Sequence, residues 1–209
     1  GVIYELKGVV SAGKEARVYW GLDPRGKDLA VKIYLTSTAE FRKGLIRYIR
    51  GDPRFEGGIP RSTRKLMTLW ARKEFRNYKL MYEAGVSVPK PIIQYENILV
   101  MEFIGEKGVR APLLKEASLS EEEYRGLFWN LLEDVRKMYR KAQLVHGDLS
   151  EYNVMIWRGK YYIIDVSQAV KIGHPNALEF LMRDLNNLYR YFARELGLHD
   201  IPSVSEMFT

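Results

Sequence analysis

Apolar residues recur along this chain with two different periods, and the period changes where one kind of element should give way to another. In the first third Val2-Ile3-Tyr4, Arg17-Val18-Tyr19-Trp20 and Leu29-Ala-Val-Lys-Ile-Tyr34 read as strands, with Gly8 to Ala16 and Asp23-Pro24-Arg25-Gly26 as turns. From Thr36 to Ser62 the periodicity fades and charge rises. Gly51-Asp52-Pro53 and Glu56-Gly57-Gly58-Ile59-Pro60 break the pattern, which predicts a mobile insert. Helical spacing returns at Leu66, Leu69, Trp70, Tyr78 and Met81 and stops at Gly85. Two more strands follow, Ile92-Ile93-Gln94-Tyr95 and Ile98 to Ile104, the second buried and running into Gly105. Ser120 with Glu123 forms a capping box for a helix carrying Tyr124, Leu127, Phe128, Leu131, Leu132, Val135 and Met138. Val154 to Trp157 and Tyr161 to Ile164 read as a hairpin about Gly159. A last helix runs through Ala177, Phe180, Leu181, Leu185, Leu188 and Phe192, with Asn176 and Glu179 resembling a second cap.

Several polar residues break this pattern at places that carry chemistry. Lys32 lies inside an apolar strand at the same parity as Ala30 and Tyr34. Glu74 falls on the Leu66, Trp70, Tyr78 row of its helix, where a carboxylate needs a partner; Lys32 is the natural one, and local arginines on a solvent face are the alternative. Asp148 and Asn153 stand five residues apart between a helix and a strand, the layout of a phosphoryl-transfer loop. There a carboxylate orients or deprotonates the attacking hydroxyl while an asparagine oxygen holds Mg²⁺. The hairpin places Asn153 and Asp165 six residues either side of Gly159, facing each other at its open end as two oxygen ligands. Each residue alone has an ordinary reading, Asp148 as a turn cap and Asn153 as a strand start; the joint spacing favours a site. Ser11, Gly13 and Lys14 lie in a turn that either covers phosphates or simply joins two strands. The backbone from Glu102 to Ile104 is placed to meet an adenine edge. His146 reads as a packed core residue, and Arg183 with Asp184 as a structural pair or part of a site.

Composition narrows the setting. A chain of 209 residues with 46% hydrophobic content is globular, and no apolar run is long enough to span a bilayer. The absence of cysteine excludes disulfides and thiol chemistry and fits a cytoplasmic protein, and His146, His174 and His199 have no zinc-ligand spacing. The lack of an initiator methionine suggests a trimmed or processed chain. A formal charge of +7 arises from 33 Lys and Arg against 26 Asp and Glu, concentrated between Arg42 and Arg76. That run reads equally as a solvated face or as a docking surface for a polyanion such as RNA.

The ordered set Lys32, Glu74, a hinge-like strand, Asp148, Asn153 and Asp165 resembles the protein-kinase fold. Ser11-Ala-Gly-Lys-Glu-Ala16, His146-Gly-Asp-Leu-Ser-Glu-Tyr-Asn153 and Ile164-Asp-Val-Ser-Gln168 are similar to the RIO family of atypical kinases, specifically its Rio-one subgroup. The resemblance implies an α+β, bilobal, protein-kinase-like fold: a β-rich N-lobe over 1–100 with the insert at about 36–62, a hinge at 101–105, and a truncated helical C-lobe over 106–209. It implies that Lys32 contacts ATP phosphates and is held by Glu74. Ser11 covers the triphosphate, and Met101, Glu102 and Ile104 border the adenine. Asn153 and Asp165 bind Mg²⁺, for which Mn²⁺ can substitute. Asp148 is then catalytic and Asp165 a transient phosphoryl acceptor. The implied activity is that of an ATP-dependent serine/threonine kinase and ATPase that autophosphorylates and matures the small ribosomal subunit, with its precursor and rRNA as partners, no membrane, and an open oligomeric state. His-Gly-Asp for His-Arg-Asp, Ser150 at the catalytic-loop lysine position, Asp-Val-Ser for Asp-Phe-Gly and the absence of Ala-Pro-Glu depart from ordinary protein kinases and are shared by RIO proteins. The rival readings are a small-molecule phosphotransferase of the aminoglycoside or choline kinase type and a non-catalytic ATP-sensing scaffold.

Overall fold

Short runs that carry Val, Ile, Tyr and Trp produce the first layer of the molecule. In a computed structural model that describes residues 1–35, 39–55 and 58–208, strands β1 (Glu5–Ala12), β2 (Ala16–Leu22) and β3 (Asp28–Tyr34) form an antiparallel meander. Val2-Ile3-Tyr4, expected as the first strand, precedes β1, and Gly8 to Ala12 of the expected turn belong to the strand, because Val9, Ser11 and Ala12 pair with Tyr19, Val18 and Arg17. Asp23 sets the β2–β3 turn by accepting the N–H groups of Arg25 and Lys27, both at 2.8 Å. With β4 (Pro91–Tyr95) and β5 (Ile98–Glu102) these strands make one five-stranded sheet in the order β1-β2-β3-β5-β4. Lys32 therefore sits on a central strand, paired with Val18 on one side and Leu99 on the other.

Two helices separate β3 from β4. The first, α1 (Ala39–Ile49), is an 11-residue helix inside the segment expected to lack periodicity. Leu45 and Ile49, four residues apart, are buried against Leu66, Trp70 and Tyr34, and this tertiary burial stabilises a helix whose own pattern is weak. A single 3-10 turn follows at Pro53–Phe55. Thr36–Thr38, Glu56–Gly57 and Thr209, parts of the expected insert and C-lobe, lie outside the described residues. The long helix α2 (Thr63–Glu83) buries Leu66, Met67, Trp70, Glu74, Tyr78 and Met81. It ends as predicted at Gly85, which adopts φ +75° while its N–H donates to the Tyr82 carbonyl.

The remaining chain supplies the helical lobe. Short strands β6 (Gly105–Glu106) and β7 (Val109–Arg110) pair just after the sheet. Helix α3 (Glu121–Lys137) opens with the expected Ser120–Glu123 capping box and runs on into a wide turn over Met138–Ala142. Strand β8 (Leu144–Val145) then pairs with β11 (Val170–Lys171), bracketing the hairpin of β9 (Val154–Trp157) and β10 (Lys160–Ile163). Helix α4 (Ala177–Tyr189) follows; Asn176 precedes it without making the predicted side-chain cap. One apolar core runs from Ala30, Leu99 and Met101 in the sheet through α2 to Phe128, Leu131, Leu149, Val166, Phe180 and Phe192. This is the bilobal α+β arrangement of a protein kinase. No helix among the described residues is long and apolar enough to cross a membrane.

Candidate active site

Between the sheet and the helical lobe lies a cavity of about 390 Å³, and Lys32, Asn153 and Asp165, singled out in the sequence, line one end of it. Lys32, projecting from β3, meets Glu74 Oε1 at 2.9 Å and Asp165 Oδ1 at 3.2 Å. Glu74 has 0% side-chain exposure and does not line the cavity; it acts from behind, with its second oxygen accepting the Tyr34 hydroxyl. Burial by itself would strip the proton from Lys32, but Asp165 and Glu74 outweigh it and raise its pKa. The lysine is thus a fixed cation aimed into the cavity, and the solvent-face pairing for Glu74 is discarded.

Asp165 is 49% exposed on the cavity side and held by three groups: Lys32, the Ser167 hydroxyl at 2.9 Å to Oδ1, and the Tyr78 hydroxyl, which accepts its N–H at 2.9 Å. Its φ of +55° is left-handed, a conformation these contacts sustain. Although burial raises a carboxyl, Lys32 and the Ser167 hydroxyl hold the Asp165 carboxyl below its usual value.

The register of the hairpin corrects one expectation. Its turn is the two-residue Arg158-Gly159, both at positive φ, so Trp157 pairs with Lys160 and Val154 with Ile163. Asn153 consequently faces Ile164, whose N–H donates to its carbonyl at 2.9 Å, and Asp165 lies one step further on. The two residues still converge, because the left-handed turn at Asp165 brings it back to the cavity wall that Asn153 lines.

Asn153 directs its amide nitrogen to the Asp148 carbonyl at 2.7 Å and to Asp148 Oδ2 at 3.4 Å. That leaves Asn153 Oδ1 and Asp165 Oδ2 without hydrogen bonds among the described residues, two hard oxygen donors of the kind Mg²⁺ takes. No group of three or more His, Cys, Asp or Glu among the described residues forms a metal cage. A cation here would need nucleotide phosphates to complete its shell, which fits Mg²⁺ rather than a structural zinc.

The loop carrying Asp148 is tied down from α4. Gly147 has φ +79°, where a side chain would be strained, and its N–H donates to Asp184 Oδ2 at 2.7 Å while its carbonyl accepts from Arg183. The Leu149 N–H reaches Asp184 Oδ1 at 2.9 Å, and the Asp148 N–H reaches His146 Nδ1 at 3.2 Å. His146 is the buried, hydrogen-bonded residue expected, with Nε2 3.3 Å from the Ile164 carbonyl. Burial, then the neighbouring Asp165 charge, raise the Asp148 carboxyl.

The opposite end of the cavity suits a flat, apolar ring. Val18, Ala30, Met101 and Met155 line it together with Glu102 and Ile104. The Glu102 N–H already donates to the Lys90 carbonyl and the Ile104 carbonyl accepts from Ala111, while neither the Phe103 nor the Ile104 N–H makes a loop or turn bond among the described residues, so the donors for a ligand edge come from these two. Ser11, Gly13, Lys14 and Glu15 roof the charged end. Glu15, missed in the sequence, is pushed up to about 7 by its burial and then by Asp165.

Residues 17–204 match the model of the RIO domain. The chain is 42% identical over its whole length to the RIO-type serine/threonine-protein kinase Rio1 of Haloferax volcanii, covering 70% of that protein. It belongs to the RIO family, in its Rio-one subgroup. Serine/threonine-protein kinase RIO1 of Caenorhabditis elegans is 46% identical over the full chain, and the human RIO1 is 44% identical over 93% of it; the chain spans 40% and 34% of their lengths. Among solved structures, the Rio2 kinase ADP/Mg²⁺-phosphoaspartate complex from Chaetomium thermophilum superposes with a TM-score of 0.74 at 27% identity, covering 98% of this chain and 61% of that one.

For a RIO domain, the Gly147 geometry explains His-Gly-Asp: the position needs the left-handed region, and Arg183 from α4 supplies the cation at the loop. Arg183 and Asp184, open between a structural pair and a site in the sequence, turn out to clamp the backbone of the loop that carries Asp148. Tyr34, Tyr78 and Ser167 were not legible as site residues, because apolar periodicity explains two of them and nothing marks the third.

Proposed function

We propose that this RIO domain binds ATP with Mg²⁺ and transfers the γ-phosphoryl group, as a serine/threonine protein kinase and ATPase capable of autophosphorylation. The observation that carries this reading is the convergence of Lys32, Asp165 and Asn153 at one end of a cavity whose other end is apolar, with Asp148 directly behind Asn153, its carboxylate 3.4 Å from the Asn153 amide nitrogen. Adenine would lie between Ala30, Met101 and Met155 and meet the N–H of Phe103 or Ile104, with the crossing at 101–105 as the hinge. Lys32 would hold the phosphates, and Ser11 and the neighbouring amides would cover them. Asn153 and Asp165 would hold Mg²⁺, which supplies charge neutralisation on the phosphates when bound. Asp148 would orient the attacking hydroxyl or water and accept its proton; its raised pKa suits that exchange.

The likeness to a Rio2 phosphoaspartate complex supports Asp165 as a transient phosphoryl acceptor. Membership of the Rio-one subgroup supports a cytoplasmic role on the small ribosomal subunit precursor. A cationic face gives that role a physical basis, since Arg61, Arg64, Lys65, Arg72 and Arg76 are exposed along or beside α2. Not all of the basic run contributes, because Lys73 is fully buried and Arg54 is turned inward onto Asp52.

A single-turnover reaction with γ-labelled ATP and Mg²⁺ tests the proposal. Label should pass to inorganic phosphate or to the protein in the wild type and should stay on ATP in Asp148→Ala, which still binds nucleotide. Hydroxylamine-labile label would support Asp165 as acceptor; label found only as alkali-labile phosphoserine would refute it. Equal turnover in both proteins would overturn the enzymatic assignment.

A further inference from the structure

Helix α2 carries a second polar row that the reading above does not use. Lys73 and Asn77, four residues apart and both with 0% exposure, face the segment that follows Asp165. The Lys73 ammonium donates to the Ser167 carbonyl at 2.7 Å and to the Ala169 carbonyl at 2.5 Å. Asn77 Nδ2 donates to the Val166 carbonyl at 2.8 Å and to the Ala169 carbonyl at 3.0 Å. A buried ammonium without a directly paired carboxylate is costly, so burial, and then the nearby Arg54 charge, pull the Lys73 pKa well down, while the two carbonyls give its amine hydrogens acceptors.

The row is completed from the insert. Arg54 forks onto Asp52, with Nε to Oδ1 at 2.9 Å and Nη2 to Oδ2 at 2.6 Å, while its Nη1 donates to Asn77 Oδ1 at 2.6 Å. That last bond fixes which way the Asn77 amide points, so its nitrogen must face the carbonyls. Burial would raise Asp52, but the Arg54 fork outweighs it and keeps the carboxyl below its usual value. Asp52 Oδ2 also receives the Lys171 N–H at 3.4 Å.

These contacts end on the acid at the reaction centre. Lys73 holds the carbonyl of Ser167, and the hydroxyl of the same residue holds Asp165 Oδ1 at 2.9 Å. We infer that Lys73, Asn77 and Arg54 are positioning residues for Asp165: they lock the 166–169 backbone so that the Asp165 carboxylate is presented to the nucleotide-bound cation, and they make the insert part of the catalytic apparatus. Residues that orient a ligand carboxylate from behind influence metal affinity about 10- to 100-fold without touching the metal.

The inference rests on Asp165 as a cation ligand, and its test separates the two. ADP affinity is measured by calorimetry with and without Mg²⁺ in the full chain for wild type, Lys73→Met, Arg54→Ala, Asp165→Ala and the double variant Lys73→Met/Asp165→Ala, with thermal melting as a control. The wild type should gain affinity with Mg²⁺. Lys73→Met should lose about 10-fold or more of that gain and keep its Mg²⁺-free affinity, and adding it to Asp165→Ala should change nothing further. Arg54→Ala, at the more accessible end of the row, carries the same expectation in smaller measure and decides the question if Lys73→Met does not fold. Equal losses with and without Mg²⁺, or a further loss in the double variant, would overturn the positioning role. A wild type indifferent to Mg²⁺ would overturn the reading of Asp165 itself, and this inference with it.

Discussion

Asp148 and His146 sit two residues apart, and opposite environments give them opposite tasks. Asp148 is half-buried with its carboxylate against the Asn153 amide, which itself lines the cavity, whereas His146 is buried and lends only its Nδ1 lone pair to the Asp148 N–H. Asp148→Ala is expected to lower the single-turnover rate by about 10²- to 10⁴-fold, the range for a general base, while nucleotide affinity stays within a few-fold. A proportional loss of affinity would show that the residue binds rather than reacts. His146 should instead be felt in stability. Burial lowers its pKa from 6.5 to about 4 in the fold, so between those values the unfolded chain takes up a proton that the folded chain does not. Stability is therefore complete above pH 6.5 and declines as the pH falls toward 4, by up to about 3 kcal/mol. Urea unfolding of wild type and His146→Asn at pH 7.5 and 4.5 should show a smaller pH-dependent loss in the variant.

At the scale of elements, α2 is the organiser. Its Glu74 and Tyr78 row reaches Lys32 and the Asp165 backbone, and its Lys73 and Asn77 row reaches the segment beyond. Glu74→Gln leaves Lys32 with Asp165 as its remaining charged partner, so the expected destabilisation by chemical denaturation is clear but below the about 3–5 kcal/mol of a buried charge left wholly unpaired. Helix α1 is held mainly by burial. It wedges between α2 and α4, with Ile49 2% exposed and the Tyr48 and Phe180 ring centroids 5.3 Å apart. Ile49→Ala should cost about 2–5 kcal/mol if α1 is integral to the fold, and far less if the segment is a detachable insert. The same measurement thus tests whether the insert is structural.

For the molecule as a whole, both lobes contribute to the site, so a ligand that fills it bonds to both. Mg²⁺·ATP at about 100 times its Kd should stabilise the folded chain by about 2.7 kcal/mol. In a chain of this size that is a rise in Tm of roughly 5–10 °C. Asp165→Ala should abolish the part of the rise that depends on Mg²⁺, and a rise that persists there would place the cation elsewhere.

Period-2 and period-3.6 patterns alone were enough to mark β2 to β5, α2, α3 and α4, because the chain must repeat apolar residues to supply a buried face; they misplaced β1, reading Val2-Ile3-Tyr4 as the strand and Gly8 to Ala12 as turn, because β1 is largely exposed and carries little apolar repeat. Likewise Lys32, Glu74, Asp148, Asn153 and Asp165 were visible as polar residues at positions their surroundings make expensive or at spacings that ordinary turns do not require. The sequence did not show α1, whose stabilisation comes from contacts with residues more than fifteen positions away, as Leu45 with Leu66. Nor did it show the one-residue offset of Asn153 from Asp165, which the two-residue Arg158-Gly159 turn decides. The charge count treated Lys73 and Arg54 as surface cations, since a side chain's composition does not tell which way it points. Only the fold turned them inward, because the carbonyls of Val166, Ser167 and Ala169 are left without strand partners there and a buried carbonyl must find a donor.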